Sequence, residues 1–256
     1  MYLPIRSFAY LHLPISFLYL WTLLQSMKRH IILIILLQST SFFSQEKKVE
    51  TPFAAVDSLY REDQFYLGLT YNSLIKTPKN VTQNGLSLGI SAGFLRDFPV
   101  NKSRTAAIAV GFGATYNQYN HNILVSNQNN IITYQLIDNQ VFDQNKLEQI
   151  TIDVPFEFRW RMSTPERHQF FRLYTGFKVG YVVLSKTKFV DGKSNQNIQN
   201  NADFNTFQYG PTLSVGYNTW NFHAYYGLNP IFKNAVLDGQ KIQMLNLNLG
   251  LIFYIL

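Results

Sequence analysis

The sequence predicts an all-β protein, an eight-stranded antiparallel up-and-down transmembrane β-barrel of the outer membrane. Three observations support this fold class. Apolar and polar residues alternate with period two in about eight segments of roughly ten residues, the pattern of strands that cross an outer membrane. Only 14% of the residues are charged, and the polar face of the segments is mainly Gly, Ser, Asn and Tyr. No apolar run near 20 residues follows residue 45, so no transmembrane helix is predicted there.

The chain starts with two apolar segments that we interpret as processing signals or as an extension. Residues 27–44 begin with the basic pair Lys28 and Arg29, continue as an apolar run and end in small polar residues, which is typical of a secretory signal peptide. We interpret residues 1–26 as an over-extended gene start, with Met27 as the true initiator. The mature chain would then begin just after the signal peptide.

A second interpretation of the first apolar run is an N-terminal membrane helix over residues 15–25, which is short for a span. In both interpretations the mature protein leaves the cytoplasm. Residues 45–63 are predicted to form a short periplasmic segment, and residues 64–256 are predicted to form the barrel.

The eight predicted strands all place apolar residues at alternate positions. Residues 151–161 show the pattern most clearly, because five apolar residues fall on one face and four charged residues on the other. A membrane-spanning barrel offers lipid to one face and a crowded interior to the other. The predicted strands cover residues 65–71, 86–94, 107–116, 151–161, 171–182, 207–217, 220–228 and 244–255.

A soluble β-sandwich is the alternative architecture for such alternation. Its outer faces would show Lys, Glu and Thr, whereas the polar faces here suit a narrow interior. A closed barrel also leaves no unpaired strand edge in lipid, which an open sheet would do.

The lengths of the connections predict the orientation. The connections after strands 2, 4 and 6 are short, and those after strands 1, 3, 5 and 7 are mostly longer. Outer-membrane barrels place short turns in the periplasm and long loops outside. An even strand number then places both termini in the periplasm.

The interior of an eight-stranded barrel is only wide enough to be filled by side chains, so the charges predicted there must pair with one another. A turn about Pro165 and Glu166 would set Asp153 opposite Lys178, and a shift of two residues would set Glu157 opposite Arg172. We interpret the group as a plug of salt bridges that closes the barrel; the alternative is a charged pathway or ligand site. The predicted network comprises Asp153, Glu157, Arg159, Arg161, Arg172 and Lys178.

Few residues suggest catalysis. His223 is the only histidine in a predicted strand, and Ser214 or Asp153 would be needed beside it for an acyl-transfer or peptide-cleaving site. No local spacing supports that grouping, so we predict a structural histidine and no enzyme. Gly111 and Gly113 resemble a phosphate loop, but no helix follows, and we interpret them as small lumen residues. No metal site or cofactor is predicted, because the ligand types are not clustered.

The long connection between the third and fourth strands contains alternating apolar residues on both faces. We predict a hairpin above the membrane that offers apolar surface to a partner protein. The alternative is a loop whose apolar residues pack on their own barrel. The residues of the predicted partner-binding loop are Ile131, Ile132, Tyr134, Leu136 and Ile137.

Composition excludes a disulfide framework and a nucleic-acid partner. The chain has no cysteine. Its 22 basic residues include three in the first 45 positions, where no acidic residue occurs, and the remainder has 19 bases against 15 acids. This excess is too small and too scattered for nucleic-acid binding.

The span from about residue 64 to residue 256 resembles the PorT-like, or porin family, outer-membrane β-barrel proteins. The segments that carry the resemblance are "YLGLTYN", "GISAGFLRDFPVN", "DVPFEFRWR", "YTGFKVGY" and "YYGLNP". The resemblance implies the fold and the compartment. It implies no catalytic residues, because this family has no shared catalytic motif.

We therefore expect a structural or accessory barrel that docks to a larger outer-membrane assembly of the secretion or protein-biogenesis type. Its expected partners are outer-membrane lipid and other outer-membrane or cell-surface proteins. The alternative functions are a small-solute pore or ligand-binding barrel and, third, an outer-membrane enzyme.

Overall fold

The computed structural model describes residues 63–129, 131–137, 142–162, 171–192, 194–217 and 219–255. The predicted extension, the signal peptide and the segment 45–63 fall outside these residues, apart from Asp63. No helix among the described residues is long and apolar enough to cross a membrane.

Eight antiparallel strands close into a barrel. Each strand pairs with the next in the order β1, β2, β3, β6, β7, β9, β10 and β13, and β13 pairs with β1 to complete the circle. The predicted fold class and all eight predicted strands are confirmed. The barrel strands are β1 (Gln64–Ile75), β2 (Leu88–Pro99), β3 (Ala106–Asn120), β6 (Gln144–Arg161), β7 (Phe171–Asp191), β9 (Phe207–Tyr217), β10 (Trp220–Tyr226) and β13 (Leu245–Ile255).

Five short strands lie in the connections. They all belong to the same end of the barrel, because they interrupt the connections that follow β3, β7 and β10. They are β4 (Ile123–Gln128), β5 (Ile131–Leu136), β8 (Ser194–Gln199), β11 (Val236–Leu237) and β12 (Gln240–Lys241). We call this the loop end. The other end, where β1 begins and β13 ends, is the turn end.

The two faces of the wall differ as the alternation predicts. From Thr151 to Arg161 in β6, each odd-numbered residue is buried and each even-numbered residue is exposed. The exposed set includes Phe156 and Phe158, at 46% and 49%. Apolar side chains therefore form the outer wall and polar ones fill the lumen.

Five strands are longer than predicted, and β6 and β7 exceed their predicted lengths most. β6 starts at Gln144 and stays paired with β3 as far as Lys146. β7 continues to Asp191 and so rises beyond β9, whose first residue, Phe207, is opposite Tyr181. β8 pairs with this extension of β7 and widens it. These extensions position the loop-end surfaces described below.

Candidate functional site

A cluster of buried charges fills the lumen near the turn end. Asp97 lies at its centre and bridges two arginines: Arg159 Nη1 is 3.1 Å from Oδ1, and Arg161 Nη2 is 3.0 Å from Oδ2. The three side chains are at most 1% exposed. A carboxylate that accepts from two guanidinium groups in this way neutralises charges that are costly to bury alone.

Sequence reasoning missed Asp97, because the second predicted strand covers only residues 86–94. The structure corrects this: β2 continues through Pro99, and the connection begins at Val100. The apolar–polar alternation of β2 is sufficient to place Asp97. Continuing it beyond Phe94 places Phe98 on the outer wall and Asp97 in the lumen, as observed.

Arg159 is also held by a second carboxylate and by two aromatic rings. Its Nε is 3.0 Å from Glu157 Oε2. Its guanidinium carbon lies 4.9 Å from the ring centroid of Tyr174 and 5.5 Å from that of Tyr254. The Tyr254 hydroxyl donates to Glu157 Oε1 at 3.4 Å. Cation–π contacts strengthen when the cation is desolvated, so the rings add to the ion pairs.

Arg172 lies in the same layer. It is directly opposite Arg161 in the β6–β7 ladder and is 8% exposed. Arg161 also donates from Nε to the carbonyl oxygen of Arg104 at 3.0 Å. The predicted residues Glu157, Arg159, Arg161 and Arg172 are thus brought together at the turn end.

Asp153 and Lys178 form a separate pair nearer the middle of the lumen. Lys178 Nζ is 3.5 Å from Asp153 Oδ2, and the Thr115 hydroxyl also donates to this carboxylate. Lys178 lies over the ring of Tyr225, 4.4 Å from its centroid.

The strand register around these pairs differs by two residues from the predicted Asp153–Lys178 register and by four from the alternative that sets Glu157 opposite Arg172. Asp153 is opposite Gly180, and Glu157 is opposite Gly176, so neither predicted cross-strand pair is directly opposed. The Asp153–Lys178 contact is diagonal instead. On its other side Asp153 faces Gly113, where an added Cβ would collide with the Tyr66 hydroxyl. Gly113 therefore gives Tyr66 room and is a lumen position without a phosphate-loop geometry. At Gly180 an added Cβ would lie 2.5 Å from Asp153 Oδ1, so this glycine gives Asp153 room.

Uncharged amides fill the lumen toward the loop end. Asn117 Oδ1 accepts from Asn72 at 3.0 Å and from Asn248 at 3.1 Å. Gln208 donates to Gln149 at 3.0 Å. All five side chains are buried. The lumen is thus filled by side chains over its described length, with charges at the turn end and amides above them.

The candidate catalytic residues form part of this filling. Ser214 Oγ is 2.8 Å from His223 Nδ1, so the structure brings these two together. Asp153 does not join them; it contacts Thr115 and Lys178. Ser214 is 3% exposed, and the Tyr254 hydroxyl lies 3.4 Å from its Oγ. In the part of the chain that is described, no three His, Cys, Asp or Glu residues are placed to hold a metal ion.

Apolar residues of the loops close the loop end. We call this group the loop cap. Phe232 lies at its centre, 1% exposed, stacked on Phe204 at a centroid distance of 4.6 Å and edge-on to Tyr134 at 5.6 Å. The loop cap comprises Leu74, Val81, Tyr119, Ile123, Val125, Tyr134, Leu147, Phe204, Ile231, Phe232, Ala235, Leu237, Ile242 and Met244.

The hairpin β4–β5, predicted as a partner-binding loop, contributes to the loop cap. Tyr134 and Ile137 are buried, and Ile132 and Leu136 pack against the cap from its margin. Only Ile131 of the predicted partner-binding set is exposed, at 66%. The alternative interpretation, in which the apolar residues pack on their own barrel, describes the other four.

Two buried polar side chains, one in the cap and one near it, form hydrogen bonds with local partners. The Tyr134 hydroxyl donates to Asp203 Oδ2 at 2.8 Å and accepts from Asn201 at 2.6 Å. Burial and the bond to Asp203 raise the pKa of Tyr134. Near the cap, His121 is 1% exposed and its Nδ1 accepts from the N–H of Ile123 at 3.1 Å. Burial lowers the pKa of His121 to about 4, so the ring is neutral at physiological pH.

A closed barrel with an apolar outer wall and a lumen of paired charges is the architecture of an integral outer-membrane protein. The comparison with family models agrees. The model of the outer membrane protein beta-barrel domain matches residues 43–233, more than half of the chain, and the chain belongs to this family. No curated protein and no solved structure gives a significant match.

Proposed function

We propose that the protein is a structural or accessory barrel that docks to a larger outer-membrane protein assembly of the secretion or protein-biogenesis type. The filled and capped lumen is the observation that carries this proposal. A barrel without a solute path acts through its outer surfaces. The resemblance to PorT-like barrels supports the same class of function.

The orientation belongs to this proposal. The turn end holds the first residue of β1 and the last residue of β13, and we place it in the periplasm. The loop end, with its five extra strands, then faces the cell exterior. Short periplasmic turns and long outer loops are the rule for bacterial barrels.

The filled lumen favours docking over the two alternatives. A solute pore needs an open path, whereas the lumen charges are paired and the loop cap covers the loop end. An enzyme needs access to its nucleophile, whereas Ser214 is buried between His223 and Tyr254.

The free edge of β8 is the docking surface that the geometry offers. β8 pairs with β7 on one side and ends the sheet on the other, among the described residues. A strand edge with unpaired N–H and C=O groups can accept an added strand from a partner. The facing edge of β4 borders the same space, and a cleft lined by residues 126–128 and 196–199 lies between the two strands.

The ladder identifies which main-chain groups of β8 are available. The N–H of Asn200 donates to the carbonyl of Ser185 at 2.8 Å, while the carbonyl of Val190 accepts from Asp143 on the β6 side. Hydrogen-bonding direction alternates along an antiparallel strand. The N–H and C=O groups of Asn197 and Gln199 therefore point to the free edge of β8.

Replacing Asn197 with proline should abolish copurification of the partner assembly and leave the barrel folded. Proline removes the outward N–H and keeps the bonds of β8 to β7, as proline does on edge strands generally. The matched control is Asn197→Ala, which removes the side chain but keeps the N–H. We would tag the chromosomal copy, purify from native membranes and compare the proteins that accompany each variant by mass spectrometry.

The expected result is a set of companions shared by the wild type and Asn197→Ala and missing from Asn197→Pro. Barrel folding is checked for each variant by its heat-modifiable migration in SDS gels. Identical companions for the folded proline variant would exclude the β8 edge. The absence of any stable protein companion of the wild type would refute the accessory role itself.

A further inference from the structure

On β6 and β7 the outward side chains change from apolar to charged near the loop end. Ile152 and Tyr181 are paired across β6 and β7 and are exposed at 48% and 47%. Ile150 and Leu184 form the next outward row of the same ladder. The next two outward rows of this ladder are charged, so the continuous apolar band ends at Ile150 and Leu184.

Three lysines occupy the rows directly above the band. Glu148 is opposite Lys186, and Lys146 is opposite Lys188. Two like charges directly opposite each other on adjacent strands destabilise a sheet unless an anion offsets them. A negatively charged partner would therefore stabilise the opposed pair Lys146 and Lys188.

Glu148 does not supply enough negative charge. It contacts Lys146, lies 3.9 Å from Lys186 and also accepts from the Tyr116 hydroxyl at 3.0 Å. Among the described residues, no carboxylate forms an ion pair with Lys188. Three ammonium groups beside one carboxylate leave a surplus of two positive charges at the edge of the apolar band.

The neighbours of the lysines add hydrogen-bond donors. Asn120 flanks Lys146 on β3, where one of its two amide N–H groups is used by the Leu86 carbonyl at 2.6 Å, and Asn197 flanks Lys188 on β8. The row across the four adjacent strands β3, β6, β7 and β8 therefore consists of an amide, two ammonium groups and a second amide. Amide and ammonium N–H groups both bind phosphate oxygens.

The height of this row matches lipid headgroups. Lys186 and Lys146 stand two and four residues beyond the apolar row, or about 5 and 10 Å along the membrane normal at the usual strand tilt. The headgroup region is about 5–8 Å thick on each side of the hydrocarbon core. Lysine side chains reach toward such interfaces.

We propose that Lys146, Lys186 and Lys188 form a binding site for the phosphate of an acidic membrane lipid in the leaflet at the loop end. The apolar wall below, with Ile150 and Ile152, receives the acyl chains. This continuity selects a lipid over free phosphate. The site is independent of the docking function proposed above.

The test uses the purified full-length mature protein in detergent and native mass spectrometry. Dioleoylphosphatidylglycerol is the acidic probe, dioleoylphosphatidylcholine the zwitterionic probe with identical chains, and inorganic phosphate the free anion. The test variant is Lys146→Gln with Lys188→Gln. The matched control is Lys233→Gln with Lys241→Gln, which removes two exposed lysines of the loop end away from this wall.

We expect the test variant to bind phosphatidylglycerol about tenfold more weakly than the wild type, because each lysine near an anionic headgroup contributes severalfold to binding. The control should match the wild type, phosphatidylcholine binding should not change, and inorganic phosphate should not compete. If the double variant fails to fold, Lys188→Gln alone should still weaken binding about threefold, since it leaves the Glu148 contacts intact.

Three results would overturn the site. They are unchanged phosphatidylglycerol binding in the test variant, an equal loss in the control, and full competition by inorganic phosphate at millimolar concentration. The last result would assign the lysines to a free anion rather than a lipid.

Discussion

Replacing Asp97 with asparagine should destabilise the barrel by about 3 kcal/mol or more. The substitution keeps the shape of the side chain but removes the charge that faces Arg159 and Arg161, at 3.1 and 3.0 Å. Breaking a buried ion pair from one side leaves the remaining charge without compensation, which typically costs about 3–5 kcal/mol. Glu157 retains its contact with Arg159, so we expect a weakened barrel rather than an unfolded one.

The matched control is Asp238→Asn, the same chemical change at an exposed loop position. Surface substitutions of this kind usually change stability by less than about 0.5 kcal/mol. Unfolding in guanidinium, followed by tryptophan fluorescence in lipid vesicles, gives both values. Equal stability of the two variants would mean that the turn-end charges do not hold the barrel together.

Replacing Phe232 with alanine should open the loop cap at a cost of about 3–5 kcal/mol, the usual range for deleting a buried aromatic ring. Phe232 contacts both Phe204 and Tyr134, so its loss removes the packing between the hairpin β4–β5 and the later loops. The barrel strands reach the loop cap only near their loop ends, through Leu74, Tyr119 and Leu147 among the described residues. The expected effect is therefore local.

Hydrogen exchange measures this effect segment by segment. Amides of residues 123–128 and 131–136 should exchange faster in Phe232→Ala, while those of β1 and β13 should not change. Val236→Ala is the control, because Val236 lies in the same loop and is 49% exposed. Unchanged protection of the hairpin in Phe232→Ala would show that the cap does not depend on this ring.

The barrel itself could be predicted because lipid on one face of each strand and the polar lumen on the other impose a period of two on the residue types. In β6 every residue from Thr151 to Arg161 obeys this rule, and the fold class follows from strand number and loop asymmetry. The rule also places Asp97 in the lumen. The predicted strand stops at residue 94, three residues before Asp97, whereas β2 ends only at Pro99.

The register and the loop cap could not be predicted in the same way. Asp153 reaches Lys178 diagonally across a glycine position, so the ion pair alone does not fix which residues are directly opposed. The alternation of residues 131–137 is equally compatible with a partner surface and with self-packing. Phe204 and Phe232, distant in sequence, pack with Tyr134 in the loop cap, and local patterns carry no information about such long-range contacts.

The filled lumen is tested most directly by conductance of the purified mature protein in planar lipid bilayers. The ion pairs at the turn end, the amides above them and the loop cap occupy the described part of the lumen. We expect no steady single-channel steps at moderate voltage. Reproducible steps of constant size from the pure protein would contradict a closed barrel and assign the protein to the pores.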